Sequence, residues 1–340
     1  KGKSNTIKAF EEENPAIELS LTKYYLFENQ HFRDRIAKGP PSSFRWVSWM
    51  IVSKVPVHRK NLIELLESET INEQSDIQIQ KDLDRTFNLD HGEDLKLSNK
   101  MEAKGKNDEA QVELEYSLYK LLKSLAFIDK ELGYCQGINF IAAFLLQVSD
   151  KSEDEALYEL ISLFSNTFKL GFNLRSFYIE DFPMLNCFVF IFERLLSSEY
   201  PNLSSHIEKI GLPSQAWIGK WIQTLYTICL PTSICKRLWD CLLAHGIYFI
   251  ISFSIALLGI TEKDLLLIKD DVDLVNYFKN LLSVTEVYYE GCEYNITRNS
   301  KRYVQIDYVL EDALKLQENY SERGYFNGLP NTYFKSNPSM

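Results

Sequence analysis

Residues 132 to 140 read Leu132-Gly133-Tyr134-Cys135-Gln136-Gly137-Ile138-Asn139-Phe140, and two apolar rhythms meet there. Ahead of it, Leu118, Leu121, Leu122 and Leu125 recur at the spacing of one helix face; behind it, Ile138, Ile141, Ala142 and Leu145 start the same pattern. Gly133 is suited to end the first helix in a left-handed cap. The stretch is therefore a corner between two helices. Gln136 stands at that corner, near unpaired backbone N–H groups, with an amide that can both donate and accept. It suits contact with an anion or a water, or it caps the helix while the glycines make a tight turn.

Outward from the corner the helical rhythm repeats. It returns at Leu157, Leu160, Ile161 and Phe164; at Leu185, Phe188, Val189 and Phe192; at Trp217, Trp221, Ile222 and Leu225; at Ile234, Leu238 and Leu242; and at Leu274, Phe278, Leu281 and Leu282. Pro183, Pro201, Pro213 and Pro231 sit near the boundaries. No alternating strand pattern stands out, so the expected class is all-α. Ile306, Val309, Leu310 and Ala313 predict a last helix, with residues 323 to 340 as a tail. Towards the N-terminus, residues 67 to 75 read as polar loop, and Ile17, Leu19, Leu21 and Leu26 carry only a weak helical pattern. The charged stretch from His91 to Ala110 reads as an inserted loop.

Composition narrows the function classes. A 45% hydrophobic chain of 340 residues builds a sizeable core. A net charge of −10 argues against nucleic acid as partner, since phosphate binding calls for a basic face. Six cysteines, without C-x-x-C spacing and with no secretory leader ahead of them, read as reduced thiols of a cytosolic protein. Cys241 and His245 lie one helical turn apart, but no second pair completes a metal site, so no metal is expected. The apolar run from Ile247 to Ile260 is bounded by charges at the length of a buried core helix, and no transmembrane segment is expected. The chain begins at Lys1 instead of methionine, as expected of a piece excised from a longer protein, whose targeting signals would lie outside it.

Two further groups stand out. Ile79, Asp82 and Arg85 follow one another at spacings of three, so Asp82 can accept from Arg85 and limit its rotamers. Arg45 and Trp49 are one turn apart, which suits an arginine stem lying along an indole. Nucleotide chemistry is missing: there is no G-x-x-x-x-G-K-[ST] loop and no Asn-Lys-x-Asp guanine signature, nor any G-x-S-x-G elbow or metalloprotease helix.

In series, these motifs resemble the TBC-domain family, the GTPase-activating proteins of Rab small GTPases. Ile79, Asp82 and Arg85 match its I-x-x-D-x-x-R motif, and Tyr134-Cys135-Gln136-Gly137, with Asn139, matches its Y-x-Q-G motif. Phe44-Arg45 with Trp49 resembles its early Arg and Trp element, and Leu238-Trp239-Asp240 its late Trp-Asp segment. The resemblance covers roughly residues 36 to 290, between an N-terminal extension (1–35) and a C-terminal helix and tail (291–340). Departures are Asn88 where proline often follows the Arg-Thr-Phe run, Gly39-Pro40-Pro41 for Gly-Ile-Pro, and a longer charged loop after Asp90.

The resemblance implies a two-lobed, all-helical fold and a partner, a Rab-family GTPase in its GTP-bound state, to which two side chains are supplied in trans. Arg85 would be the arginine finger and Gln136 the glutamine finger that positions the attacking water. Asp82 would hold Arg85, while Tyr134 and Gly137 would shape the loop that presents Gln136. No cofactor of its own is implied, since GTP and Mg²⁺ belong to the partner's site. A cytoplasmic role in vesicle trafficking follows, with peripheral recruitment to endomembranes through partners as an option. The alternative is a non-catalytic TBC-like module that binds a small GTPase or scaffold.

Overall fold

A computed structural model describes residues 29–55, 61–87, 107–150, 152–165, 174–280, 293–295 and 303–337. The described residues form helices α1 (Gln30–Ala37), α2 (Ser42–Val52), α3 (Leu62–Leu66), α4 (Glu73–Phe87), α5 (Asn107–Ile128), α6 (Ile138–Val148), α7 (Glu153–Phe164), α8 (Pro183–Glu199), α9 (Pro201–Ile210), α10 (Ile218–Gln223), α11 (Thr232–His245), α12 (Phe249–Leu265), α13 (Asp271–Asn280), α14 (Ile306–Glu322) and α15 (Tyr325–Ser336), most of them where the apolar rhythm predicts them. Pro183 and Pro201 open α8 and α9, where a missing N–H costs nothing.

The helices gather in two groups around one continuous core. In the first, α5 packs against α3, α4, α6 and α7; in the second, α8 packs against α9, α10, α12 and α15, with α14 along α12. Helix α11 joins them, packing on α12 while its Trp239 meets Phe144 of α6 at 4.9 Å, and α1 and α2 pack on α11 as well. Nine successive residues of α6, Ile138 to Leu146, are buried, as expected of a helix surrounded by others. The apolar run in α12 is also core. No helix among the described residues is long and apolar enough to cross a membrane.

The chain is all-α, with local departures from the sequence reading. The expected tail contains α15, whose Phe326 stacks on Tyr248 at 4.6 Å and whose Tyr333 meets Phe190 at 5.5 Å. Its apolar face is obscured in sequence by interspersed glycine and asparagines and by Pro330, which lies inside the helix. The charged loop is shorter at its end than expected, because α5 already starts at Asn107; residues 91–106 lie outside the described part. Likewise α4 begins inside the expected polar loop, at Glu73, where the Asn72 side chain accepts the Ser75 N–H at 2.7 Å. The pattern from Trp217 to Leu225 yields only the short α10, because Leu225 and Tyr226 take φ of 49° and 64° and turn the chain sharply to bury both side chains. A two-stranded antiparallel ladder, β1 (Glu293–Asn295) with β2 (Tyr303–Gln305), pairs Tyr294 with Val304 where no strand was expected. The weak pattern at Ile17 to Leu26, and Leu281 and Leu282, lie outside the described residues.

One buried carboxyl group makes stability depend on pH. Glu159 on α7 is wholly buried; the Ser53 hydroxyl donates to one carboxylate oxygen, and the other has no partner. Burial pushes its carboxyl up to about 7 from an ordinary 4.5, against the smaller opposite pull of Ser53. Between those values the folded chain keeps a proton that the unfolded chain has released, so stability is full below pH 4.5 and falls as pH rises through 7, by on the order of 3 kcal/mol. Glu159→Gln cannot ionise yet still accepts from Ser53. Its melting temperature is expected to exceed that of the wild type at pH 8, with the gap narrowing towards pH 5. Parallel melts with the same gap at both pH values would contradict this.

Candidate functional site

Helix α4 turns from core to surface along one stripe. Ile79 is fully buried, Asp82 is buried one turn later, and Arg85 emerges with its side chain 57% exposed. Asp82 works in two directions. Its Oδ2 accepts from the Tyr134 hydroxyl at 2.8 Å and from Gln78 Nε2 at 3.3 Å, and its Oδ1 lies 2.8 Å from Arg85 Nη2. The last contact is ionic, without the angle of a hydrogen bond. Arg85 is also tethered through Nε to the Lys81 carbonyl at 3.3 Å. Burial, and then the charge of Asp82, pushes the Tyr134 phenol far above its ordinary range, so it remains a donor to that carboxylate.

The corner between α5 and α6 is shaped as the sequence suggests. Gly133 takes φ of 59° after α5, with its N–H on the Asp129 carbonyl at 2.8 Å; a Cβ there would stand 2.8 Å from Ser75 Oγ. Gly137 caps α6 at φ of 110°, closely backed by Tyr178 and Gln223. Between them Gln136 is exposed, and its side-chain amide forms no hydrogen bond among the described residues. It does not cap α6: the Gly137 N–H is taken instead by Asn139 Oδ1 at 2.9 Å. Cys135 stays a thiol, its ionisation opposed by burial and by Asp82. Upstream, Arg175 clamps the approach to the corner through Asp129 and Glu131, both at 2.6 Å.

Thr86 was missed by sequence reasoning because a lone threonine next to an arginine carries no spacing signal. It is fully buried, accepts from Asn139 Nδ2 at 2.8 Å, and donates to the Asp82 carbonyl at 2.6 Å. A guanidinium and a carboxamide, both solvent-facing, thus project from two segments that share a buried polar network. Among the described residues no cluster of His, Cys, Asp or Glu is fit to hold a metal. The arrangement can offer positive charge to a bound anion and a donor–acceptor amide to a water.

The other residues singled out from sequence form a second cluster, built for structure. Arg45 and Trp49 do not simply lie along one another: both reach the carboxylate of Asp240, Arg45 Nε at 3.1 Å and Trp49 Nε1 at 2.8 Å. Trp239 stacks on Trp49 at 5.6 Å and donates to the Leu225 carbonyl. Arg237, unmarked in sequence, adds a 3.0 Å contact to Asp240 and reaches the Ala37 carbonyl and Asp307. Asp240 is completely buried, and desolvation raises its pKa in spite of Arg45 and Arg237. Cys241 donates to the Ala37 carbonyl, and burial pushes its thiol up to about 12.

Fold and site define a helical domain that exposes a guanidinium and a carboxamide on two linked segments, and comparison with known proteins places it. The model of the Rab-GTPase-TBC domain matches residues 42–266, more than half of the chain. The chain belongs to this family. It is 29% identical over 252 residues to the Rab GTPase-activating protein eat-17 of Caenorhabditis elegans, covering 73% of this chain and 25% of that protein. It is 26% identical over 257 residues to the GTPase-activating protein GYP5 of Saccharomyces cerevisiae, covering 75% and 25%. The chain spans about a quarter of the length of these curated relatives. Among solved structures, the Chlamydomonas flagellar RabGAP TBC domain superposes with a TM-score of 0.62 at 20% identity, covering 91% of this chain and 94% of that one. The YPT/RAB-GAP domain of Gyp1p gives 0.55 at 17%, covering 86% and 94%.

Proposed function

We propose that this chain is a GTPase-activating module for a Rab-family small GTPase in its GTP-bound state, acting in trans through Arg85 and Gln136. The observation that carries the reading is the pairing of an exposed guanidinium with an exposed, unengaged amide on two segments tied by one buried network. Charge in the transition state of phosphoryl transfer spreads over the γ-phosphate and bridging oxygens, and a cation that cannot deprotonate stabilises it without water having to reorganise. Arg85 is held by charge more than by directed bonds, so it can leave Asp82 for a phosphate oxygen while Asp82 keeps its bonds to Tyr134 and Gln78. The Gln136 amide accepts from the attacking water and donates to phosphate, two roles that a carboxylate cannot fill together. GTP and Mg²⁺ belong to the partner, and the setting is regulation of vesicle trafficking by a cytoplasmic protein recruited to endomembranes through its partners.

The test is single-turnover GTP hydrolysis across a panel of Rab proteins with wild type and Gln136→Ala. Stimulation of one or a few Rabs is expected, reduced by the substitution about 100-fold or more, the scale of losing one preorganised polar group at a reacting centre. Tight binding of GTP-loaded Rab with unchanged hydrolysis would replace this reading with that of a non-catalytic binding module.

A further inference from the structure

We infer that Thr86, through Asn139, is a positioning residue that fixes the Arg85 helix against the Gln136 loop. This rests on the proposed function for its kinetic part and on geometry alone for the rest. The bonds run in one direction. The Gly137 N–H donates to Asn139 Oδ1, which obliges the Asn139 Nδ2 to face Thr86; Thr86 Oγ1 accepts from that amide, and its O–H donates to the Asp82 carbonyl. Thr86 and Asn139 are buried to within 1%, so no water competes for these groups and each has a single assignment.

The connection is one of two. Tyr134, two residues before Gln136, is bonded to the Asp82 side chain, three residues before Arg85. The backbone of Gly137, directly after Gln136, leads through Asn139 to Thr86, directly after Arg85. Each exposed side chain is therefore bracketed by two tethers to the segment that carries the other. With the tyrosine tether alone the loop could pivot about residue 134; with both, the relative placement of Arg85 and Gln136 is set. Misplacement by an ångström at a reacting centre costs on the order of 100-fold in rate.

The experiment compares wild type with Thr86→Val, which keeps the shape but has no hydroxyl, Thr86→Ala as a second disruption should valine fail to fold, and Thr86→Ser, which restores the hydroxyl. Hydrogen exchange of the Gly137 amide is read on the free protein, and kcat and KM are read with a responsive Rab. Valine or alanine is expected to accelerate Gly137 exchange about tenfold or more and to lower kcat by about 10- to 100-fold with KM within about twofold, and serine to restore both. Unchanged Gly137 exchange in a folded Thr86→Val protein overturns the tether, as does a kcat equal to that of the wild type. Accelerated exchange in a protein whose wild type stimulates no Rab supports the tether and counts against the activator reading alone.

Discussion

Arg85→Ala is expected to reduce stimulated GTP hydrolysis by about 10³- to 10⁵-fold, the full scale of an arginine finger. Its thermal stability should barely move. The side chain is more than half exposed, so water screens its ion pair with the buried Asp82, which keeps its bonds to Tyr134 and Gln78, and the pair is worth under about 1 kcal/mol. Arg85→Lys should restore little, because an ammonium on a flexible stem cannot spread its donors over several phosphate oxygens as the planar guanidinium does. The check is a single-turnover rate beside a melting curve for each variant. Full stimulation by Arg85→Ala would remove Arg85 from the mechanism and leave the family fold with some other source of activity.

The largest effect on folding is expected at Asp240, away from that site. Asp240→Ala removes the acceptor shared by Arg45, Trp49 and Arg237 and leaves two largely buried guanidinium groups and a fully buried indole N–H without their carboxylate. Breaking a buried pair from one side costs about 3 to 5 kcal/mol, a large part of the stability of an ordinary domain. Urea unfolding should show the free energy of unfolding lowered by that amount, through a lower midpoint at unchanged slope, or the protein should fail to accumulate in soluble form. An unfolding free energy within about 1 kcal/mol of wild type would mean that water reaches the cluster and takes over for Asp240.

These two residues mark what could be read from sequence. The helices of the core follow from apolar spacing because burial of one face is the force that makes them, and Ile79, Asp82 and Arg85 follow because three-residue spacing has a geometric meaning on a helix. The corner at Gln136 was legible for a similar reason, since two glycines bracket it and both take positive φ. What joins distant segments was not. Asp240 lies 191 residues from Trp49, and Thr86 lies 53 from Asn139. No local pattern encodes such pairings, and the sequence therefore offered Arg45 an indole when its partner is a carboxylate. Helix α15 was lost for the opposite reason: its own residues, with glycine, proline and asparagines, argue against a helix, and packing against Phe190 and Tyr248 overrides them.

The reach of Arg237 has a practical side for anyone cutting this chain down. The region common to the family ends at residue 266, yet this arginine, which braces the tryptophan cluster, is itself braced from both sides by residues outside that region, the Ala37 carbonyl ahead of it and Asp307 well beyond it. Helices α14 and α15 also cover α12 and α8 with Val309, Leu310, Ala313, Phe326 and Tyr333. An expression boundary drawn at the family limits would therefore strip a hydrophobic wall from α8 and α12 and a counter-charge from Arg237 on α11.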